Sequence, residues 1–245
     1  MPESPTQFRL RLAPGAGVGE HPHLAHLALP LQVAISVRPT TLTWAITQRV
    51  VALAGCVLLS PLLLVMLVPV KATSRGPFLF SQERPGYRGT RFRLLKVRTM
   101  EPGSEVRTAL GTSISDPQIT RVGRVLRELK LDELPQLWNV VRGDMELVGP
   151  RPLPAELDQE LRANIPGFDL RYEVKPGLTN VSQVAVLDNK LGPRLVEDWR
   201  IRFEGELHYI KNKSFAYDVV VLAMTVLFVF RKLSSRDFQR AKIAG

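Results

Sequence analysis

The most apolar stretch of the chain, residues 50–70, predicts a membrane helix. Its 21 residues carry no charge, and the charged residues Arg49 and Lys71 flank it on either side. A straight helix of this length extends ~30 Å, which is about the thickness of a bilayer's hydrocarbon core. The run is therefore long enough to cross a membrane once.

Ser60 and Pro61 lie in the middle of this run and raise a second possibility. A proline removes a backbone donor and clashes with the preceding turn, which leaves two arms of ~15 Å each. The basic residues Arg49 and Lys71 give the positive-inside rule no asymmetry. A helix that bends and returns to the same face and a kinked helix that spans the membrane both agree with this pattern.

Beyond residue 71 the pattern becomes that of a soluble, helix-rich α+β domain. Residues 78–83 and 91–98 predict two strands of a hairpin around Gly86 and Gly89. Apolar positions at helical spacing predict further helices, which cover residues 120–130, the stretch after Asp132, residues 156–163 and residues 194–210. The twelve apolar residues 219–230 are too few to span a membrane and indicate a buried or interfacial helix.

These patterns divide the chain into four parts. Residues 1–40 are rich in proline and glycine and are predicted to be a loosely ordered extension without a secretory signal. Residues 41–72 form the membrane helix, residues 73–235 the main domain, and residues 236–245 a tail.

The chain is basic, with 33 Lys and Arg against 23 Asp and Glu. Such an excess favours an anionic partner, which is nucleic acid, lipid headgroups or a phosphorylated substrate. The single cysteine, Cys56, excludes an intramolecular disulfide and a zinc cluster built from cysteines. His21, His23 and His26 have a spacing that could hold a metal, but they lie in the proline-rich extension, where we expect no metal site.

Two adjacent carboxylates, Asp132 and Glu133, stand where one predicted helix ends and the next begins. A carboxylate in this position can simply cap the following helix. It can also be catalytic, and nearby cations favour this second interpretation. Lys96 and Arg98 share a strand face about 7 Å apart, a spacing that suits a diphosphate.

Two further arginines extend this cationic set. Arg127 precedes the acidic pair by five residues, and Arg151 stands between two prolines that restrict its backbone. Cations around an acidic pair favour a metal-assisted phosphate site.

A series of short motifs connects these features. They are Ser60-Pro61, Gln82-Glu-Arg84, Lys96-Val-Arg-Thr-Met100, Asp116-Pro117, Thr120-Arg-Val-Gly-Arg124, Leu131-Asp-Glu-Leu-Pro-Gln-Leu-Trp-Asn139, Arg142-Gly-Asp-Met145, Leu147-Val-Gly-Pro-Arg-Pro152, Lys175-Pro-Gly-Leu-Thr179 and Gln183-Val184. In this order and spacing, over roughly residues 42–235, the chain resembles the bacterial sugar transferases. These are monotopic phosphoglycosyl transferases that start capsule, exopolysaccharide, O-antigen or glycoprotein glycan assembly.

The resemblance implies a two-step transfer. Asp132 would attack the β-phosphate of a UDP-sugar and release UMP, with Glu133 as its acidic partner. Undecaprenyl phosphate would then take the phosphosugar from Asp132. The resemblance also implies Mg²⁺, with Asp132 as a ligand, bridging the carboxylate and the diphosphate.

The resemblance further implies where substrates and membrane are bound. The implied substrate-binding residues are Lys96, Arg98, Arg127, Arg151, Lys175 and Gln183. The membrane element would be a re-entrant helix broken at Ser60-Pro61, which places the catalytic domain on the cytoplasmic face of the inner membrane. Downstream glycosyltransferases are the implied protein partners, and nucleic acid is not among the partners.

The chain departs from the family's usual pattern at several positions. Ala52 replaces a usual acidic residue, Val97 a phenylalanine and Lys130 a serine. The usual Thr-Gly-Trp-Ala-Gln-Val reads Thr179-Asn-Val-Ser-Gln-Val184. These changes affect either helix packing or the selection of sugar or nucleotide.

Two other functions compete with the transferase. A catalytically silent membrane scaffold would keep the fold, and only the altered segment 179–184 favours it. A membrane-tethered nucleic-acid binder has only the charge in its favour, since no recognition motif is present.

Overall fold

The computed structural model describes residues 39–104, 116–181 and 195–234. Its helices and strands, in chain order, are α1 (Leu42–Thr73), β1 (Leu79–Pro85), β2 (Arg91–Val97), α2 (Arg121–Glu128), α3 (Gln136–Arg142), β3 (Glu146–Val148), α4 (Ala155–Asn164), β4 (Gly177–Thr179), α5 (Leu195–Asn212) and α6 (Phe215–Ser234). The structure is helix-rich with two small sheets, which confirms the predicted α+β class. The predicted extension and tail lie almost wholly outside the described residues.

The first sheet is the predicted hairpin. Strands β1 and β2 pair antiparallel, with Leu79 opposite Val97 and Pro85 opposite Arg91. Arg84 and Phe92 are directly opposite each other, so their side chains lie on the same face of the hairpin.

The second sheet, a parallel pair of β3 and β4, was not predicted. Each strand has three residues, too few for an alternating pattern to show in the sequence. The pairing brings Gly149 against Gly177, where a Cβ on Gly177 would lie 2.0 Å from the Gly149 nitrogen. Both positions therefore require glycine, and the contact fixes the chain just before Arg151.

Helix α1 continues without interruption through Pro61 and Pro69. Pro61 has no N–H for the carbonyl of Val57, four residues earlier, and the Ser60 hydroxyl donates to that carbonyl at 2.8 Å. The predicted break at Ser60-Pro61 is therefore not a gap in the helix, because the serine supplies the donor that the proline lacks.

The exposed surface of α1 is strongly apolar. Among the described helices it alone is long and apolar enough to cross a membrane, and only 11% of its most apolar window is buried. A core helix of a soluble protein would be mostly covered, so the large uncovered apolar surface indicates contact with lipid.

One narrow stripe of α1 packs against the domain near both ends of the helix. Ala52 is fully buried in a cluster with Val140 and Met145, while Met66 packs with Val97 in a second cluster. Ala52 and Val97, two of the departures from the family pattern, therefore take part in helix packing.

Helix α6 is longer than the predicted apolar run 219–230. It begins at Phe215, whose ring packs edge-on against Trp44 of α1 at a centroid distance of 4.7 Å. Val221 is buried in the main core, whereas Leu227 and Phe230 are exposed. The helix is thus partly buried, with an apolar exposed side.

Candidate active site

The acidic pair lies on a one-turn 3₁₀ helix, Leu131–Glu133, between α2 and α3. Lys130 adopts a left-handed conformation with φ of 60°, which ends α2 and redirects the chain into this turn. Helix α3 begins only at Gln136. Its N-cap residue is Pro135, and no side chain caps the helix there. The capping interpretation of Asp132 therefore fails, and both carboxylates face the interior, with exposures of 5% and 8%.

Glu133 is held by two cations. Its Oε1 atom lies 2.8 Å from Arg151 Nη2 and 3.6 Å from Lys96 Nζ. Burial alone would raise the pKa of Glu133, but the charges of Arg151, Lys96 and Lys130 outweigh it and hold the pKa well below its usual range. Glu133 is therefore ionised at neutral pH, and its Oε1 atom is held by both cations.

Asp132 has a different environment from its neighbour. Its Oδ1 atom is buried and has no hydrogen-bond partner among the described residues. Burial raises the pKa of Asp132, and the positive charges of Lys96 and Arg127 only partly offset this effect. The result is a poorly stabilised carboxylate beside cations, which favours either attack on an electrophile or metal binding.

Lys96 and Arg127 approach the acidic pair from β2 and α2. Burial lowers the pKa of Lys96 to about 8, although the charge of Glu133 opposes this shift. Arg127 Nε donates to the Thr99 hydroxyl at 2.7 Å. The approach of α2 to this segment requires Gly123, where a Cβ would lie 2.0 Å from the Thr99 carbonyl oxygen.

The backbone of Arg151 is clamped from both sides. Its N–H donates to Glu206 Oε1 at 3.2 Å, and its carbonyl accepts from Arg171 Nη2 at 2.6 Å. Arg171 and Glu206 also form a buried ion pair at 3.2 Å. Sequence reasoning missed both residues, because no motif links positions so far apart along the chain.

Two other predicted site residues, Arg98 and Lys175, donate to backbone carbonyls rather than to the acidic pair. Arg98 donates to the Arg75 carbonyl at 2.9 Å, and Lys175 donates to the Gly143 carbonyl at 2.7 Å. Gln183 lies outside the described residues. The structure therefore joins Lys96, Arg127 and Arg151 around the acidic pair, and substrate contacts of the other three stay predictions.

Asp132 is suited to contribute one ligand to a Mg²⁺ ion bound together with substrate. Among the described residues, no group of three or more His, Cys, Asp or Glu side chains could enclose a metal. Mg²⁺ commonly uses one or two carboxylates and completes its shell with water and substrate phosphate oxygens. The unpartnered Oδ1 of Asp132 can supply one such ligand, whereas Glu133 Oε1 is already occupied by Arg151 and Lys96.

The family of the chain follows from a comparison with known proteins. The model of the bacterial sugar transferase family matches residues 40–232, which is most of the chain. The chain belongs to the bacterial sugar transferases. The matched region contains α1, both sheets and every residue of the site described above.

Within the bacterial sugar transferases, several curated proteins are similar to this chain. A UDP-glucose:undecaprenyl-phosphate glucose-1-phosphate transferase of Caulobacter vibrioides is 44% identical over 172 residues, or 69% of the chain and 62% of that relative. A UDP-N-acetylgalactosamine-undecaprenyl-phosphate N-acetylgalactosaminephosphotransferase of Aeromonas hydrophila is 37% identical over 182 residues, or 73% and 41%. The exopolysaccharide production protein ExoY of Sinorhizobium fredii is 35% identical over 191 residues, or 72% and 80%. The chain thus spans less than two thirds of the first two relatives.

Proposed function

We propose that the protein transfers a sugar-1-phosphate from a UDP-sugar to undecaprenyl phosphate, through a covalent intermediate on Asp132. Two of the similar proteins are named for transfer to undecaprenyl phosphate, and a third for exopolysaccharide production. The reaction would be the first membrane step in assembling a bacterial glycan.

One observation carries this proposal. The buried Oδ1 atom of Asp132 has no hydrogen-bond partner in the described part of the chain, while Glu133 beside it is engaged by Arg151 and Lys96. A buried polar atom without a partner is costly to the fold, which favours a functional use for it.

The proposed first step forms a bond between an Asp132 oxygen and the β-phosphorus of the donor. The bond from that phosphorus to the bridging oxygen breaks, and UMP leaves with the electron pair. In the second step a phosphate oxygen of undecaprenyl phosphate attacks the same phosphorus, and the Asp132 carboxylate leaves. Splitting the transfer in this way lets a soluble and a lipid substrate use one site in turn.

The cations and Mg²⁺ would have separate tasks in this reaction. Lys96, Arg127 and Arg151 would hold the diphosphate and reduce the repulsion between it and the Asp132 carboxylate. Mg²⁺, bound by Asp132 and substrate oxygens, would neutralise charge on the phosphates.

We further propose that α1 enters and leaves the membrane on the cytoplasmic face of the inner membrane. Gln48 near its start accepts from the Leu147 N–H at 2.8 Å, and Val70 near its end packs with Leu126. These two positions lie ~33 Å apart along a helix, about the thickness of a hydrocarbon core. A spanning helix would separate them across the bilayer, whereas both contact the same charged domain, which supports the re-entrant path.

The proposed intermediate can be tested with Asp132→Asn. Wild-type protein given a UDP-sugar without lipid should release at most one equivalent of UMP and retain a phosphosugar on the peptide that contains Asp132. Asp132→Asn, nearly the same in shape, should lose both, because an amide is a far poorer nucleophile. Mass spectrometry and a UMP assay measure the two results.

The control for this test is Asp144→Asn. Asp144 lies outside the acidic pair, and its carboxylate contacts Arg142. This variant should keep the burst and the adduct. A wild-type burst from Asp132→Asn, or intersecting two-substrate kinetics without an adduct, would instead favour direct transfer with Asp132 as a metal ligand only.

A further inference from the structure

Arg84 is a buried guanidinium without a carboxylate partner in the described parts of the chain. Its exposure is 8%, and its Nε atom has no hydrogen-bond partner. The Nη2 atom donates to Gln82 Oε1 at 2.6 Å, which orients the side chain but supplies no negative charge. Most buried arginines are paired with an anion, since burying an unpaired charge is costly.

The surroundings of Arg84 add further positive charge. Burial and, next, the positive charge of Arg151 together lower its pKa to about 9, against weaker attraction from Glu156 and Glu133. Neither carboxylate lies within salt-bridge distance of Arg84 among the described contacts.

The hairpin and the Arg151 loop converge at one place. Arg84 stands at the end of β1, and the next residue, Pro85, lines a small cavity together with Pro150 and Arg151. Arg84 and Lys96 also lie on the same face of the hairpin. Arg84 pairs with Phe92, and Lys96 is four residues further along the same strand as Phe92, which returns it to that face. Arg84 therefore belongs to the cationic side of the active site.

Arg84 joins three other cations of this region. Burial lowers the pKa values of Arg84, Lys96 and Arg127, and each also lies close enough to Arg151 for the like charge to lower its pKa. Like charges held this close favour a bound anion between them.

We propose that Arg84 is a further phosphate-binding residue of the active site, held ready by Gln82. This proposal rests on the proposed function for the origin of its ligand, which is a phosphate of the nucleotide-sugar donor or of the polyprenyl phosphate. The two share the chemistry of a phosphate oxyanion, to which a guanidinium donates charge-assisted hydrogen bonds.

The first test separates ligand binding from a role in stability. Without an anion, Arg84→Gln in detergent should melt at the same temperature as wild type or higher, because a buried unpaired charge is removed. Inorganic pyrophosphate should stabilise wild type, and its binding to Arg84→Gln should be about tenfold to a hundredfold weaker. Arg84→Lys, which keeps the charge, should bind with intermediate affinity.

The matched control is Arg91→Gln, which removes an exposed arginine of the same hairpin. It should leave pyrophosphate binding unchanged. A lower melting temperature of Arg84→Gln without anion, combined with unchanged pyrophosphate binding, would overturn the proposal and give Arg84 a structural role. Failure of both Arg84 variants to fold would do the same.

The second test identifies the source of the phosphate. If Arg84 binds the donor, Arg84→Gln should raise the KM for the UDP-sugar and slow the UMP burst without lipid. If it binds the carrier, only the KM for undecaprenyl phosphate should rise. Wild-type values for both substrates would overturn the proposal. Absence of UMP release from wild type would contradict the proposed function alone, and the pyrophosphate result would then decide the role of Arg84.

Discussion

At the scale of single residues, the two neighbouring carboxylates of the site differ in the side chains that contact them. Glu133 contacts Arg151 and Lys96 and has a lowered pKa, whereas the Oδ1 atom of Asp132 has no described partner and its pKa is raised by burial. Pairs of titratable groups whose environments shift their pKa values apart commonly have different roles in catalysis. This difference favours Asp132 as the reacting group and Glu133 as the residue that positions the cations.

The environment of Lys96 predicts an activity that is sensitive to alkaline pH. Its pKa is lowered to about 8 by burial, so its positive charge is lost as the pH rises through that value. We expect kcat/KM for the UDP-sugar to fall above about pH 8, because the free enzyme then lacks a phosphate-binding cation. A pH profile of UMP release measures this fall, which is the alkaline limb of the profile.

Lys96→Arg provides the comparison, since a guanidinium stays protonated throughout this range. The alkaline limb should move upward in this variant, even where its overall rate is lower. An unchanged limb would show that a group other than Lys96 titrates there. Compared with wild type, Lys96→Ala should lose about 1.5–3 kcal/mol of phosphate interaction below about pH 8, where Lys96 is charged, and less above it.

At the scale of elements, α1 combines an apolar exposed surface with a proline in its middle. The Ser60 hydroxyl donates to the Val57 carbonyl, which Pro61 leaves without its usual backbone donor. In lipid no water can replace that donor, so the serine and the proline act as a pair. The Ser-Pro motif thus allows a proline inside an apolar helix without an unsatisfied carbonyl at Val57.

A double-mutant cycle tests this pairing. Ser60→Ala alone should destabilise the protein by about 1–3 kcal/mol, because the Val57 carbonyl loses its donor. In the Pro61→Ala background the backbone N–H of residue 61 returns, and the same serine change should have little effect. Chemical unfolding in detergent micelles measures both. Equal effects in the two backgrounds would show that the hydroxyl does not compensate for the proline.

At the scale of the whole molecule, one domain contacts α1 near both of its ends. The Trp44 indole N–H donates to Asp218 of α6 at 2.7 Å, while Met66 and Val70 pack beside Val97 and Leu126. Contacts at both ends of the helix hold it along the domain, which agrees with a helix that does not separate its ends across a bilayer.

Cysteine labelling in intact cells tests this arrangement. In a Cys56→Ala background, Thr43→Cys and Ser81→Cys place single thiols at exposed positions before and after the apolar run. Both should resist a membrane-impermeant reagent from outside and react after the inner membrane is opened. Opposite accessibility of the two thiols would establish a spanning helix. In the Pro61→Ala background we expect a larger fraction of molecules to span.

The local elements of the fold were largely predictable from the sequence. The hairpin and the helices follow from repeats of two and of about 3.6 residues, which short-range geometry imposes. The motifs likewise singled out Asp132, Glu133, Lys96, Arg127 and Arg151, because their chemical types suit a phosphate site, and the fold brings these residues together. The predicted bounds of the elements differ modestly from the observed ones. Helix α6, for example, continues beyond its apolar run at both ends.

Only the tertiary structure decided which charges are buried and which partners they have. The β3–β4 pair, the Arg171–Glu206 clamp on Arg151 and the unpaired guanidinium of Arg84 depend on contacts between residues far apart in the chain. Arg98 shares the motif of Lys96 yet donates to a loop carbonyl. The residue type alone determines which charge a side chain can carry. Its desolvation and its counterions depend on which distant segments pack around it.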